Sequence, residues 1–188
     1  LVMEVYYLSK LDHPNIIKIR GVSSTPFSSS FGDEGDGFFF TMDVMQETLR
    51  DRTTKWYDDP ASFEKIKGLK HRLKGKRRKV KLDRMYGRIE TAALGIADAM
   101  KYIHQKGIVL RDLKPSNVGF HARTGEVNLL DFGFACEVNN LCNDSEICGT
   151  PRYMAPELLQ GVGYSLSTDV YSFGIMLHEI VSLEHSWR

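Results

Sequence analysis

The chain has 188 residues, 42% apolar and 26% charged, with a formal net charge of +1. This is ordinary for a globular protein and long enough for one domain with a sizeable core. No apolar run approaches the roughly 20 residues needed to cross a bilayer, and residues 1–10 lack the basic start, apolar centre and cleavage site of a signal peptide.

Position 1 is Leu rather than Met, so a piece of a longer chain is expected. Cys136, Cys142 and Cys148 show no metal-finger spacing and are expected to be reduced thiols in an intracellular protein. The charge is unevenly spread. Ten of the 25 basic residues fall in residues 65–81, which begin at Lys65 and end at Lys81 and contain no acid. The remainder is acidic on balance.

In chain order, Val2, Val5, Tyr6 and Leu8 at helical spacing predict a helix that ends before Asp12-His13-Pro14-Asn15. Residues 16–22 read as a strand and residues 23–37, rich in Ser and Gly, as a loop. Residues 38–45 are dense in aromatic and β-favouring types and predict one buried strand. A short amphipathic helix is expected over 46–57, broken by Asp58-Asp59-Pro60, before the basic block. The strongest helix runs over 82–106, with Met85, Ile89, Ala92 or Ala93, Ile96, Met100 and Ile103 on one stripe and Gly107 at its end. Short strands fit 108–110, 117–120 and 127–130, with Arg123-Thr124-Gly125-Glu126 as a hairpin turn. A short helix at 155–159 and a strongly apolar, buried helix at 168–183 complete the reading.

Two motifs carry chemistry. Leu110-Arg111-Asp112-Leu113-Lys114-Pro115-Ser116-Asn117 puts a carboxylate, a lysine and an amide on one short loop, and Asp131-Phe132-Gly133 adds a second carboxylate beyond a hairpin. Phosphoryl transfer from a metal–nucleotide complex needs such a set: a carboxylate for the hydroxyl proton, a cation near the phosphate, and hard oxygen ligands for magnesium.

Together with Gly149-Thr150-Pro151-Arg152-Tyr153-Met154-Ala155-Pro156-Glu157, in this order, the motifs resemble those of the protein kinase family. The resemblance covers nearly the whole chain except the basic block and residues 23–37. It implies an incomplete catalytic domain of serine/threonine type with an α+β fold: a remnant of the antiparallel N-lobe sheet plus a mainly helical C-lobe. Residues 1–45 would be the distal N-lobe and hinge, and 46–188 the C-lobe, with a basic insertion at about 58–81.

The resemblance also implies roles. Asp112 accepts or orients the hydroxyl proton, Lys114 balances charge on the transferring phosphoryl group, and Asn117 with Asp131 holds Mg2+. Thr150 bonds to Asp112 and Lys114. Glu4 is the helix glutamate that pairs with a nucleotide-binding lysine, and Leu8 packs behind it. Met42 is the gatekeeper, Asp43, Val44 and Met45 offer backbone groups to the adenine of ATP, and Gly119 lies under the adenine ring. Asp169 braces the 110–117 loop. Arg111 meets a phosphate on the activation loop, for which Ser145 is the acceptor.

Three departures stand out. Leu110 replaces a His or Tyr that packs beneath Phe132, an expected cost of about 1 kcal/mol that removes no catalytic group. Gly119 stands where a Leu is common, so the adenine contact is weakened unless Phe120 or Met45 fills the space. No glycine-rich phosphate loop and no lysine-bearing strand occur within these residues, so the 188 residues alone are expected to transfer phosphate poorly.

The basic block has three readings: a solvated loop or helix extension, a nuclear-import signal, or a site for an anionic partner. The expected localisation is intracellular: cytoplasmic, with the nucleus added if the block acts in import. The expected activity is transfer of phosphate from ATP to serine or threonine of a protein substrate, as part of a longer parent. The alternative is a truncated, non-catalytic kinase-like scaffold. Substrate identity, subfamily, upstream activator and oligomeric state are not encoded in any of these features.

Overall fold

The computed structural model describes residues 1–23, 38–58, 83, 84, 86–138 and 147–183. The expected loop over 24–37, the basic block, Met85 and Ser145 lie outside the described residues. The fold is an α+β mixture of short antiparallel sheets and helices. Among the described residues no helix is long and apolar enough to cross a membrane.

Helix α1 (Val2–Lys10) buries Tyr7 and Leu8 and ends at Leu11 in extended backbone. Strand β1 (Ile19–Val22) pairs antiparallel with β2 (Phe40–Met42). The single strand expected over 38–45 is two strands. The chain breaks at Asp43 and Val44, and β3 (Met45–Thr48) joins a different sheet, antiparallel to β5 (Val118–His121). Asp43 is still tied to β1, with Arg20 Nε and Nη2 holding its carboxylate at 2.6 and 2.9 Å and its N–H donating to the Lys18 carbonyl. Beyond it the chain leaves β1 for its pairing with β5.

The helix expected over 46–57 starts later for a related reason. Residues 45–48 are spent on pairing with β5, and α2 (Leu49–Asp58) opens where the Asp51 carboxylate accepts the Thr48 N–H and hydroxyl. Glu47 on β3 is paired with Arg52 and Lys55 on α2, and the Lys55 hydrogen bond does most to hold its carboxyl below the ordinary range.

The long helix forms with its expected stripe. In α3 (Leu94–Gln105) Ile96, Ala99, Met100 and Ile103 are buried. It is preceded by a π-helical turn at Ile89–Ala93, in which the Leu94 N–H reaches the Ile89 carbonyl. The Thr91 hydroxyl donates to the Gly87 carbonyl at 2.6 Å beside this turn. Strand β4 (Ile108–Val109) follows, then the β5–β6 hairpin with β6 at Val127–Leu129, and β7 (Cys136–Glu137) pairs back with β4.

The expectation of three reduced thiols fails at Cys136, which is disulfide-bonded, whereas Cys148 is a free cysteine. Helix α4 (Pro156–Leu159) is short, and α5 (Leu166–Ser182) is the last described element. The inner face of α5 is less apolar than its composition implies. Thr168, Asp169, Ser172 and Glu179 are buried on it beside Met176 and Ile180, while Val170 is exposed. Arg88 closes its C-terminal end, donating to the carbonyls of Ile180 and Val181 at 2.9 Å each.

Residues 15–17 tie the front of the chain to the rest. Ile16 bridges Leu129 in parallel, the Ile17 N–H donates to the Leu129 carbonyl and the Leu129 N–H to the Asn15 carbonyl, and Asn15 Nδ2 donates to the Val127 carbonyl at 2.7 Å. Helix α3 packs closely on this junction. A Cβ on Gly95 would lie 2.5 Å from Val127 Cγ1 and 2.8 Å from Asn15 Nδ2, whereas one on Gly174 of α5 meets nothing within 4 Å.

The two glycines therefore respond oppositely. Gly95→Ala destabilises by about 1–2 kcal/mol even after helix propensity returns about 1 kcal/mol. Gly174→Ala stabilises by about 0.5–1 kcal/mol. Urea unfolding midpoints check this, and shifts of the same sign contradict the packing account.

Candidate active site

The 110–117 loop emerges from β4 and ends in a 3-10 turn, Pro115–Asn117, that leads directly into β5. Its shape is set from below by Asp169 of α5, which is 1% exposed. Asp169 Oδ2 accepts the Leu110 N–H at 2.8 Å, Oδ1 accepts the Arg111 N–H at 3.1 Å, and His104 Nε2 lies 3.0 Å from Oδ2. A buried carboxylate is tolerated because backbone and ring partners replace its water. Arg111 takes a left-handed conformation, φ 69°, which a non-glycine residue adopts at some cost.

Three polar heads meet above this brace. Lys114 Nζ lies 2.6 Å from Asp112 Oδ2 and 2.9 Å from Thr150 Oγ1, and the Thr150 hydroxyl donates to Asp112 Oδ1 at 2.7 Å. Asn117 Nδ2 donates to the Asp112 carbonyl at 2.9 Å and to Oδ2 at 3.2 Å. Since the amide nitrogen faces Asp112, the Asn117 side-chain oxygen points elsewhere.

A second strap of chain is stitched to the loop. Gly149 sits at φ 104°, where a Cβ would collide with the Arg111 carbonyl oxygen, so only glycine permits this approach. The Arg111 guanidinium lies 5.1 Å from the Tyr164 ring centroid, and the Tyr164 hydroxyl exchanges hydrogen bonds with the backbone of Cys148. Arg111 also donates through Nε to the Phe134 carbonyl at 2.5 Å. Its expected partner, Ser145, is outside the described residues.

Asp131 is exposed and its Oδ1 accepts the Gly133 N–H at 2.8 Å, while Phe132 beneath it is fully buried. Leu110 and Phe132 belong to the same core cluster, so the leucine keeps an apolar seat. Glu4 is near enough to Asp131 to feel its charge. Burial first, and the Asp131 carboxylate second, push the Glu4 carboxyl above its ordinary range.

At the expected nucleotide edge, Met42 is exposed. The Asp43 N–H and the Val44 carbonyl are already bonded, to the Lys18 carbonyl and the Ala122 N–H, which narrows the hinge to the remaining backbone groups of that segment. Met45 fills the space at Gly119: an added Cβ there would lie 2.9 Å from Met45 Cγ and 2.9 Å from Leu130 Cδ1. Phe120 points into the core instead, with Arg52 stacked 4.1 Å from its ring.

Sequence reasoning missed His104, Tyr164 and the particular need for glycine at 149. His104 and Asp169 are 65 positions apart, and nothing local in the chain signals that pairing.

The sequence model of the protein kinase domain family matches residues 1–188. The chain belongs to the protein kinase domain family. It resembles a protein from Drosophila simulans named serine/threonine-protein kinase, 50% identical over 84 residues, which cover 43% of this chain and 11% of that relative. A cGMP-dependent protein kinase of Drosophila melanogaster is 38% identical over 87 residues, 46% of this chain and 11% of the relative. A serine/threonine-protein kinase of Arabidopsis thaliana is 41% identical over 87 residues, 46% of this chain and 18% of the relative. The matched stretch is thus a small part of each relative's length.

The raised Glu4 carboxyl, held up first by burial and second by Asp131, gives a pH signature for this kinase domain. Because the folded-state pKa of Glu4 is raised, its charged form opposes folding, and the penalty grows as pH rises through that pKa. Glu4→Gln therefore gains stability over the parent chain from pH 4 to pH 7. Thermal melts at the two pH values check this; a difference that does not change with pH contradicts it.

Proposed function

We propose that this chain is the greater part of a serine/threonine protein kinase catalytic domain within a longer protein, transferring phosphate from ATP to protein hydroxyls with magnesium. The observation that carries the proposal is the triangle of Asp112, Lys114 and Thr150, with contacts of 2.6, 2.7 and 2.9 Å. In this reading residues 1–45 are the distal N-lobe and hinge and 46–188 the C-lobe. The change of sheet partner at Met45 supports the boundary.

The donor set fits magnesium. The Asn117 side-chain oxygen and the free oxygen of Asp131 are hard ligands, and such ions complete their shell from phosphates and water. Among the described residues no cluster of three or more His, Cys, Asp or Glu side chains could hold a metal by itself. That agrees with an ion held jointly with a nucleotide. When bound, magnesium–ATP supplies the phosphoryl group and draws off its negative charge.

The protein's own groups do the rest. Asp112 orients the acceptor hydroxyl and takes its proton on a carboxylate oxygen. Lys114 presents a positive charge to the transferring group. Thr150 holds both heads in register, and Asn117 fixes Asp112 through its carbonyl and carboxylate. Glu4 is the side chain placed to pair with a nucleotide-binding lysine.

The alternative reading is a non-catalytic kinase-like scaffold. Phosphate incorporation by the full-length parent separates the two. Asp112→Asn is expected to lower kcat about 10²–10⁴-fold, with phosphoserine or phosphothreonine as product. Unchanged incorporation in Asp112→Asn, or phosphotyrosine alone, overturns the catalytic assignment; no incorporation by the parent itself supports the scaffold.

A further inference from the structure

One face of the β3–β5–β6 sheet holds a glycine between two half-exposed apolar side chains. Met45 on β3 is opposite His121 on β5, so its side chain lies on the face that residues 119 and 121 share. Gly119 is opposite Asn128 on β6, and Leu130, two residues on from Asn128, falls on that face as well. Phe120 takes the opposite face and is fully buried. Met45 and Leu130 pack against the core from one side and stay half-exposed on the other.

Gly119 lies in a strand and takes no positive φ, so its backbone does not call for glycine. The approach of its neighbours does. An added Cβ would lie 2.9 Å from Met45 Cγ, 3.2 Å from Met45 Sδ and 2.9 Å from Leu130 Cδ1. A glycine inside a strand often marks such a close approach. Here it is made by Met45, whose unbranched thioether fills irregular space with little strain.

The neighbours of this pair point to its ligand. Leu130 directly precedes Asp131, and its N–H donates to the Asn117 carbonyl at 3.0 Å. Gly119 is two residues from Asn117. The apolar patch is thus stitched to both side chains assigned to the metal–phosphate end of the nucleotide. A nucleotide is anionic at one end and flat and largely apolar at the other. Hard oxygen ligands beside a half-open apolar patch match it end to end.

We propose that Met45, together with Leu130, supplies the apolar floor on which the adenine of ATP rests, in the place that a side chain at 119 would occupy. The proposal deepens the catalytic reading and rests on its nucleotide site. It makes positions 45 and 119 exchangeable, because side-chain volume is needed there once, from either strand.

Isothermal titration of magnesium–ADP into the full-length parent tests this. Met45→Ala empties the space beside Gly119 and should weaken ADP binding about tenfold, the loss of roughly two buried methylenes. Met45→Leu keeps the volume and should bind within about threefold of the parent. Met45→Ala combined with Gly119→Leu returns the side chain from the other strand and should recover most of the loss. A double variant that binds no tighter than Met45→Ala overturns the exchange, and Met45→Ala binding like the parent overturns the floor. If urea unfolding shows that the double variant does not fold, the two substitutions of Met45 decide alone. No ADP binding by the parent itself overturns the nucleotide reading, and the proposal with it.

Discussion

The Asp169 carboxylate, buried in the inner face of α5, accepts the N–H groups of Leu110 and Arg111 and lies within hydrogen-bond distance of His104, and the geometry of the site descends from this contact. Arg111 has φ 69°, a conformation that the backbone does not hold without help. The two N–H bonds select it. Once Arg111 is set, its carbonyl lies against Gly149, and Thr150 is delivered next to Asp112 and Lys114.

The site is therefore assembled from three distant stretches: 104–117, 147–150 and the start of α5. Each contributes groups that would be poor partners in water. A Lys–Asp contact on a free surface contributes roughly 0–1 kcal/mol, so the pair does not explain stability. Its value is positional. Lys114, Asp112 and Thr150 share three short contacts, which fixes two charged heads against a loop that is itself clamped. Asn117 adds a fourth restraint through the Asp112 backbone. Such prior fixing of polar groups is what phosphoryl transfer asks of a protein.

Much of this was legible in the residues because the signals are local. The apolar stripe of α3 recurs at helical spacing, and Arg123 to Glu126 reads as a turn. The 110–117 motif carries its own chemistry. Other features depend on distant partners. Residues 38–45 looked like one strand because most of their side chains favour β structure; the switch of β3 to another sheet depends on its pairing with β5, far along the chain. Of the polar inner face of α5, Asp169 was legible through the family resemblance, whereas Ser172 and Glu179 were not, because they are buried against a partner elsewhere, Tyr153. At Gly119 two occupants were open, and Met45 rather than Phe120 fills the space, beside Leu130.

The central claim is that Asp169 acts by positioning Asp112 and has no separate part in the chemistry. A double-mutant cycle on kcat of the full-length parent, using Asp169→Asn and Asp112→Asn, tests it directly. If Asp169 works through Asp112, the double variant is no slower than Asp112→Asn alone, within about threefold, because residues that act as a unit are not additive. Losses that multiply across the two substitutions would contradict the account.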